Sequence, residues 1–527
     1  MSEQELKLHV PTARAAEIAR ELQDRGASRI RLRALYFDTP ERELARARIA
    51  LRLRLEGRRW MQTLKTPGAD AITRMELNHP RPGSTLDLSV YAGTPVEAVL
   101  SKLRGPLAPR YETDVWRLLR TVRGRQGTVE LAFDTGVLRA GALELPICEL
   151  EFELMSGQPA AIFTVARGWR HRYTLLLDTR SKSERGDALA TLAQQLEAAD
   201  SDQARAKRIA GFWAPRGTAG VALSPDMQAP AAMAAVAAEC IEQIARNAAA
   251  LAEVDTLGIH AFGNSEHVHQ LRVGMRRLRS AWRLFEGWIE PPPAALVEGM
   301  RAHFAAFGAN RDQDVLEETV APMLLKAGMP VIPSPPRSGE HDGSQAIAAS
   351  RAFQGWLVDL MEWSLNVRTP APAPVAAIEA EAAAAPTTTE VATAPQPRRL
   401  AKLLANRLRR WHGKVVERGL RFSELPLEER HALRKRGKRL RYSLAFAESL
   451  LPASRLQSYR KQLSLVQDIL GEINDLAVAR DYYRAQCEIY PQAWFALGWI
   501  EARLDALTVQ AQQAFNDLAH TKPFWKR

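Results

Sequence analysis

Cysteine is scarce in this chain. Cys148, Cys240 and Cys487 are the three in 527 residues, and none belongs to a CxxC pair. That excludes a disulfide framework and a thiolate zinc site, and it points to a reducing compartment. Long apolar runs are missing as well. No stretch of about 18 uninterrupted apolar residues occurs, and the first residues are charged rather than a basic stub with an apolar run. Neither a membrane span nor a signal peptide is expected, and the chain reads as cytoplasmic. A surplus of acid is also lacking: 72 Lys and Arg stand against 60 Asp and Glu, a formal charge of +12. The partner is therefore expected to be an anion: nucleic acid, a membrane surface or polyphosphate. The basic stripes show no interleaved aromatics and no recognised nucleic-acid motif, which ranks nucleic acid last.

Alternating charge is what the chain does have. Glu3, Glu5 and Lys7 fall at every second position of the opening run. A strand sends such positions to one face, so two carboxylates and an ammonium share a surface. Glu149, Glu151 and Glu153 repeat the pattern against Cys148, Leu150, Phe152 and Leu154. Three carboxylates on one strand face repel one another unless cations sit among them. Between these segments lie strand-like stretches with basic positions: Arg52 and Arg54, Lys65, Arg74 beside Glu76, Arg117 and Arg120, followed by Lys182 and Arg185. Both signs of charge on one face, with aliphatics on the other, describe a closed sheet with a polar lumen.

At this length the chain should divide into two or three domains. Residues 1–200 read as α+β, with period two broken by turns and by helical stretches near 13–25, 96–103 and 159–172. A polar connection is expected at 201–224. From 225 to 527 the composition turns to Ala, Leu, Arg and Glu with period 3.6, an all-α bundle, with unstructured insertions expected at 328–343 and 369–397. The helical region contains a repeat. His269, Arg272, Arg276 and Arg279 recur as His431, Arg434, Lys438 and Arg441, and each set precedes a second similar segment, 307–315 and 470–478, at nearly the same interval. Steps of three and four keep each set within an arc of roughly 80° on a helix. Two stripes facing each other across duplicated halves would line a groove for an extended polyanion.

These motifs resemble known families. Residues 1–195 resemble the CYTH domains, or triphosphate tunnel metalloenzymes, through ExExK (Glu3, Glu5, Lys7), the Tyr36–Pro40 turn, LRxR (Arg52, Arg54), Lys65, ExExE (Glu149, Glu151, Glu153) and SKxxRG (Lys182, Arg185), in the family's order. Both HxxRxxxRRxR-like copies and the terminal Lys522-Pro523-Phe524-Trp525 resemble a CHAD domain. The tandem is most similar to bacterial inorganic triphosphatases. The resemblance implies an antiparallel eight-stranded β tunnel that binds linear triphosphate with Mg2+ or Mn2+. It implies Glu3, Glu5, Glu149 and Glu151 as metal ligands, with Glu153 beside them. It implies Lys7, Arg52, Arg54, Lys65, Arg74, Arg117, Lys182 and Arg185 as the phosphate grip. Catalysis would rest on Glu3, Glu5, Lys7, Glu149, Glu151 and Lys182. Asn78 follows Glu76 where the family pattern carries a carboxylate, so that strand is left out of the ligand set. The CHAD resemblance implies binding of long-chain polyphosphate by His269, Arg272, Arg276, Arg279, His431, Arg434, Lys438 and Arg441. Hydrolysis of thiamine triphosphate or ATP, cyclisation of ATP, and a noncatalytic polyphosphate scaffold are the competing readings.

Overall fold

The computed structural model describes residues 2–68, 70–252, 254, 263–308, 316–332, 340–369 and 399–525. Eight strands build the N-terminal sheet: β1 (Ser2–His9), β2 (Ser28–Asp38), β3 (Ala50–Glu56), β4 (Arg59–Pro67), β5 (Thr73–Arg81), β6 (Ala108–Arg123), β7 (Gly127–Ala140) and β8 (Leu143–Gly157). All pair antiparallel in the order β5-β4-β3-β2-β6-β7-β8-β1. The first half of β1 pairs back onto β5, with Glu3 opposite Arg74, and closes the barrel; the second half pairs with β8, Glu5 opposite Glu153 and Lys7 opposite Glu151. A two-residue strand, β9 (Leu176–Leu177), lies on the other side of β1.

Alternation decides which side is inside. Leu6, Leu8, Leu131, Phe133, Leu150 and Phe152 are buried on the outer face, beneath helix α4 (Ala160–Tyr173), which contributes Ile162, Phe163, Ala166 and Trp169. Burying side chains of this size contributes about 1.5–3 kcal/mol each. On the far wall Leu51 and Leu64 pack under Tyr91, Val96 and Leu100. Helices α1 (Thr12–Asp24), α2 (Glu43–Arg46) and α3 (Glu97–Leu100) complete the outer layer.

One end of the lumen is apolar and filled. Helix α5 (Lys182–Glu197) enters it, and Leu189, Leu192 and Leu196 pack against Leu32, Val115, Leu138 and Leu145. Ser181 caps the helix by accepting from Glu184 N–H. Gly186 has no alternative here, since a Cβ would lie 2.2 Å from the Tyr111 ring. The Tyr36–Pro40 turn anchors the same helix indirectly. Asp38 accepts the N–H groups of Thr39, Leu44 and Ala45, holding the turn that presents Arg42, and Arg42 and Arg110 both pair with Asp187 of α5.

The remainder is helical: α6 (Asp202–Phe212), α7 (Ala229–Leu251), α8 (Ser265–Leu284), α9 (Ala294–Ala306), α10 (Ala321–Lys326), α11 (Glu340–Ala349), α12 (Arg351–Leu365), α13 (Leu400–Gly419), α14 (Leu427–Phe446), α15 (Ala453–Gln486) and α16 (Ala493–His520). The stretch expected as a plain connection thus contains a helix. Ser201 accepts from Ala204 N–H, a cap that starts α6. The insertion expected to be unstructured at 328–343 already enters α11 at Glu340, while 333–339 lies outside the described residues. So do 370–397 and residues 309–315 of the first repeat. Packing divides the chain into two compact units, 1–217 with 241–272 and 339–365, and 218–240 with 273–338 and 366–527. In the first unit α12 supports the barrel: Gln354 Oε1 accepts Leu177 N–H at 2.7 Å, and Asp359 pairs with Arg167 of α4. In the second, α13 to α16 share a core of Leu404, Leu440, Tyr459, Leu463, Leu507 and Phe515. Among the described residues no helix is long and apolar enough to cross a membrane.

Candidate active site and polyanion surface

Charged side chains fill the lumen in two neighbouring groups. The deeper one centres on Lys182, in the first turn of α5. Its Nζ lies 2.7 Å from Asp134 Oδ2, 2.5 Å from Glu149 Oε1 and 2.7 Å from Glu151 Oε1. Arg117 forks onto Asp134 and reaches Glu151 at 2.6 Å, and Arg185 donates to Glu149 at 2.9 Å. Lys7 stands 3.4 Å from Glu149 and also donates to the Arg180 carbonyl. Burial alone would push the carboxyls of Glu149 and Glu151 up. The ammonium and guanidinium charges outweigh it and hold both below the usual carboxylate range. Lys182 is correspondingly kept charged, burial being outweighed by Asp134, Glu149 and Glu151.

The second group lies along β1, β5 and the end of β8. Lys65 bridges Glu3 at 2.7 Å and Glu76 at 2.8 Å, and Arg52 stands 3.8 Å from Glu76. Glu5, Glu130 and Glu153 act on the same groups. Carboxylates outnumber cations here. Glu3 and Glu76 respond by sharing a hydrogen bond between their carboxyls, with the Glu3 carboxyl raised, first by burial and then by that bond. Glu153 is raised by burial and by its neighbours Glu5 and Glu130.

A divalent cation fits this donor chemistry. Asp134, Glu149 and Glu151 offer oxygens that all lie within 4.8 Å of one another, though Lys182, Arg117 and Arg185 already compensate their charge. Around Glu3, Glu5, Glu76 and Glu153 the negative charge is in excess, and the raised Glu3 and Glu153 carboxyls mark where a cation would take up that excess. Oxygen-only donors suit Mg2+ or Mn2+.

Most positions expected from the sequence meet in this lumen. Arg52 donates to the Tyr36 hydroxyl at 3.3 Å, and Arg54 donates to Glu56 at 2.7 Å on its own strand. Arg74 faces Glu3 in register, with Nη1 donating to the Thr73 carbonyl. Arg120 does not join them, because three steps along β6 from Arg117 put it on the other face, opposite Leu131. Sequence reasoning missed Asp134, fully buried beneath Lys182 and Arg117, although the alternation Glu130, Ala132, Asp134 against Val129, Leu131, Phe133 carries the signal. It missed Asp178, which pairs with Arg180 at 2.9 Å, and it left Glu76 without a role.

The two basic stripes lie on α8 and α14. On α14 the apolar face of Leu433, Leu440 and Leu444 is buried, which leaves His431, Arg434, Lys438 and Arg441 half-buried. Within the second unit the stripes meet. Arg276 and Arg441 both hydrogen-bond the Tyr442 side chain, and Lys438 is lowered to about 7, first by burial and then by Arg434, Arg276 and Arg441. Arg276 and Arg279 flank the Phe304 ring at 5.9 and 5.7 Å. On α8, His269 and Arg272 continue the line of Arg276 toward the helix N-terminus.

A closed antiparallel tunnel with a charged lumen, followed by duplicated basic helices, defines the class. A CYTH domain model matches residues 1–186 and a CHAD domain model matches 235–484, so the chain is a CYTH–CHAD protein. Over the CYTH region it is 33% identical, across 163 residues, to an inorganic triphosphatase of Haemophilus influenzae; the match takes in 30% of this chain and 45% of that protein. The chain thus spans about half the length of that curated relative. The solved CHAD domain of the plant Ricinus communis is 24% identical, covering 59% of this chain and 98% of that one with a TM-score of 0.44. A putative adenylyl cyclase from Hippeastrum, described as having a dominant triphosphatase activity, is 18% identical over 34% of this chain and 92% of that one, with a TM-score of 0.25.

Proposed function

We propose that the chain hydrolyses inorganic triphosphate to diphosphate and phosphate in its tunnel, with Mg2+ or Mn2+, and that its helical region binds long-chain polyphosphate. The observation that carries the reading is the lumen itself: Arg52, Arg54, Lys65, Arg117, Lys182 and Arg185 line the tunnel that also holds the under-compensated carboxylates Glu3, Glu5 and Glu153. The similarity to a protein named inorganic triphosphatase supports it.

The basic side chains grip nonbridging phosphate oxygens and offset the charge that develops on them, which suits phosphoanhydride cleavage without a covalent nucleophile. Arg117, Lys182 and Arg185 are pre-oriented for this by Asp134, Glu149 and Glu151, so little reorganisation accompanies binding. Glu3, Glu5 and Glu153, with Glu76 beside them, would hold the metal, with Glu149 and Glu151 contributing from the adjoining group. A cation bound there would supply neutralisation of phosphate charge and a water of lowered pKa. The plug of α5 closes one end of the lumen, which limits water around the substrate.

Phosphate release from tripolyphosphate, ATP, thiamine triphosphate and long polyphosphate, each with Mg2+ and with Mn2+, tests the assignment. Tripolyphosphate should be the preferred substrate, and Glu5→Gln should abolish turnover without changing the circular dichroism. Preference for ATP or thiamine triphosphate would reassign the substrate. Absence of turnover on all four would leave the tunnel a binding site.

A further inference from the structure

Helix α13 carries a second basic surface apart from the tunnel, and folding supplies it with aromatic rings. Three cavities, of about 480, 450 and 250 Å3, follow one another along this helix. The first two share Arg407 and Arg410, and the last two share Trp411 and Lys414, so neighbouring cavities make up a track from Lys402 to Glu417. At about 1.5 Å per residue this track is about 22 Å long. Cations dominate it: Lys402, Arg409, Arg410 and Lys414 line it, against Glu286 and Glu417, and Glu286 is already paired with Arg283 at 2.9 Å.

Two planar platforms interrupt the charge. Arg407 sits over Trp288, its guanidinium carbon 3.7 Å from the ring centroid. Its Nη1 donates to the carbonyls of Leu284 and Glu286 at 2.8 and 2.7 Å, which locks the plane. Trp411 is half-buried and borders two of the cavities, with Arg439 at 5.7 Å from its ring. An inorganic polyanion has no use for either plane. A strand of nucleotides does: phosphates follow the cations while bases stack on indole and guanidinium surfaces.

We propose that this α13 track binds single-stranded nucleic acid, with Trp411 and the Arg407–Trp288 pair as stacking platforms and Lys402, Arg409, Arg410 and Lys414 on phosphates. Its length accommodates about six stacked nucleotides at ~3.4 Å each. The ranking of nucleic acid last from the sequence rested on missing interleaved aromatics and on the absence of a recognised nucleic-acid motif in the basic stripes. Trp288, far from α13 in sequence, is brought into the track only by folding. The proposal stands independently of the triphosphatase reading.

Fluorescence anisotropy of the full chain at low salt with labelled 12-mers of thymidine and uridine, an abasic 12-mer and inorganic polyphosphate tests it. The base-bearing strands should bind at least about tenfold more tightly than the abasic one. Trp411→Ala should cost them about tenfold while leaving abasic-strand binding, polyphosphate retention and tripolyphosphate hydrolysis unchanged, and Trp411→Phe should restore binding. Tighter binding of uridine or of thymidine assigns RNA or DNA as the source. Equal affinity for abasic and base-bearing strands, equal loss of polyphosphate in Trp411→Ala, or no oligonucleotide binding overturns the proposal and leaves a surface for inorganic polyanions only.

Discussion

Lys182 Nζ stands 2.7 Å from the fully buried Asp134 Oδ2, a contact that joins the first turn of the plugging helix to the floor of the tunnel. The ammonium serves Glu149 and Glu151 at the same time, so one side chain touches all three carboxylates, and Arg117, Arg185 and Lys7 share in offsetting their charge. Its position is the link between the barrel's closure and its chemistry.

Removing that ammonium should therefore damage both folding and activity. Lys182→Ala leaves Asp134, Glu149 and Glu151 with one cation fewer, Arg117, Arg185 and Lys7 remaining, at a cost of up to about 3–5 kcal/mol. The depressed carboxyls of Glu149 and Glu151 contribute stability above the unfolded carboxylate range near pH 4 and lose it as pH falls through their folded values. The variant's deficit should accordingly shrink on acidification. Denaturant melts of both proteins between pH 2 and 8 measure this, and a deficit independent of pH contradicts it.

Metal binding should release protons. The Glu3 carboxyl is raised while paired with Glu76, so it holds a proton that a cation displaces, and affinity rises with pH. Calorimetric titration of Mn2+ in buffers of different ionisation enthalpy should show proton release near neutral pH, and Glu3→Gln should remove it. Identical heats in all buffers would count against this assignment.

Arg52 tests whether geometry or charge grips the phosphate. Its guanidinium reaches both the Tyr36 hydroxyl and Glu76 from the lumen wall. Arg52→Lys keeps the charge but loses the planar two-point donor, and we expect about a tenfold rise in KM for tripolyphosphate. Steady-state kinetics decide it; an unchanged KM would place Arg52 outside the substrate contacts.

Polyphosphate retention should weaken as pH rises through about 7, because Lys438 is lowered to about 7 in the free protein and its charged form favours the anion. Sedimentation or filter retention of full-length protein with long-chain polyphosphate at pH 6 and 8 reads the difference. Lys438→Arg should flatten the profile. Reversing charge at Arg276 and Lys438 together should abolish retention while tripolyphosphate hydrolysis persists; retained binding in that variant would move the site elsewhere.

Much of the tunnel was legible in the chain because a strand enforces period two. Glu3, Glu5, Lys7, Arg52, Arg54, Lys65, Glu149, Glu151 and Glu153 share the polar phase of their strands, and no tertiary information is needed to see that they share a face. The helical stripes were legible for the same reason at period 3.6. What spacing could not rank was the partner of each charge. Asp134 looked like one acid in an ordinary strand until register placed it between Arg117 and Glu149. Glu76 acquired its role only when the ends of β1 and β5 paired and brought Glu3 beside it. The sequence by itself determined the closed polar-lumened sheet, the helical second half and the sign of the charge on each face. Tertiary structure alone decided which carboxylates are compensated and which are left in excess, because electrostatic energy depends on distances of a few ångströms set by register and closure. It also decided that Trp288 stands under Arg407, since that contact joins segments that no local period relates.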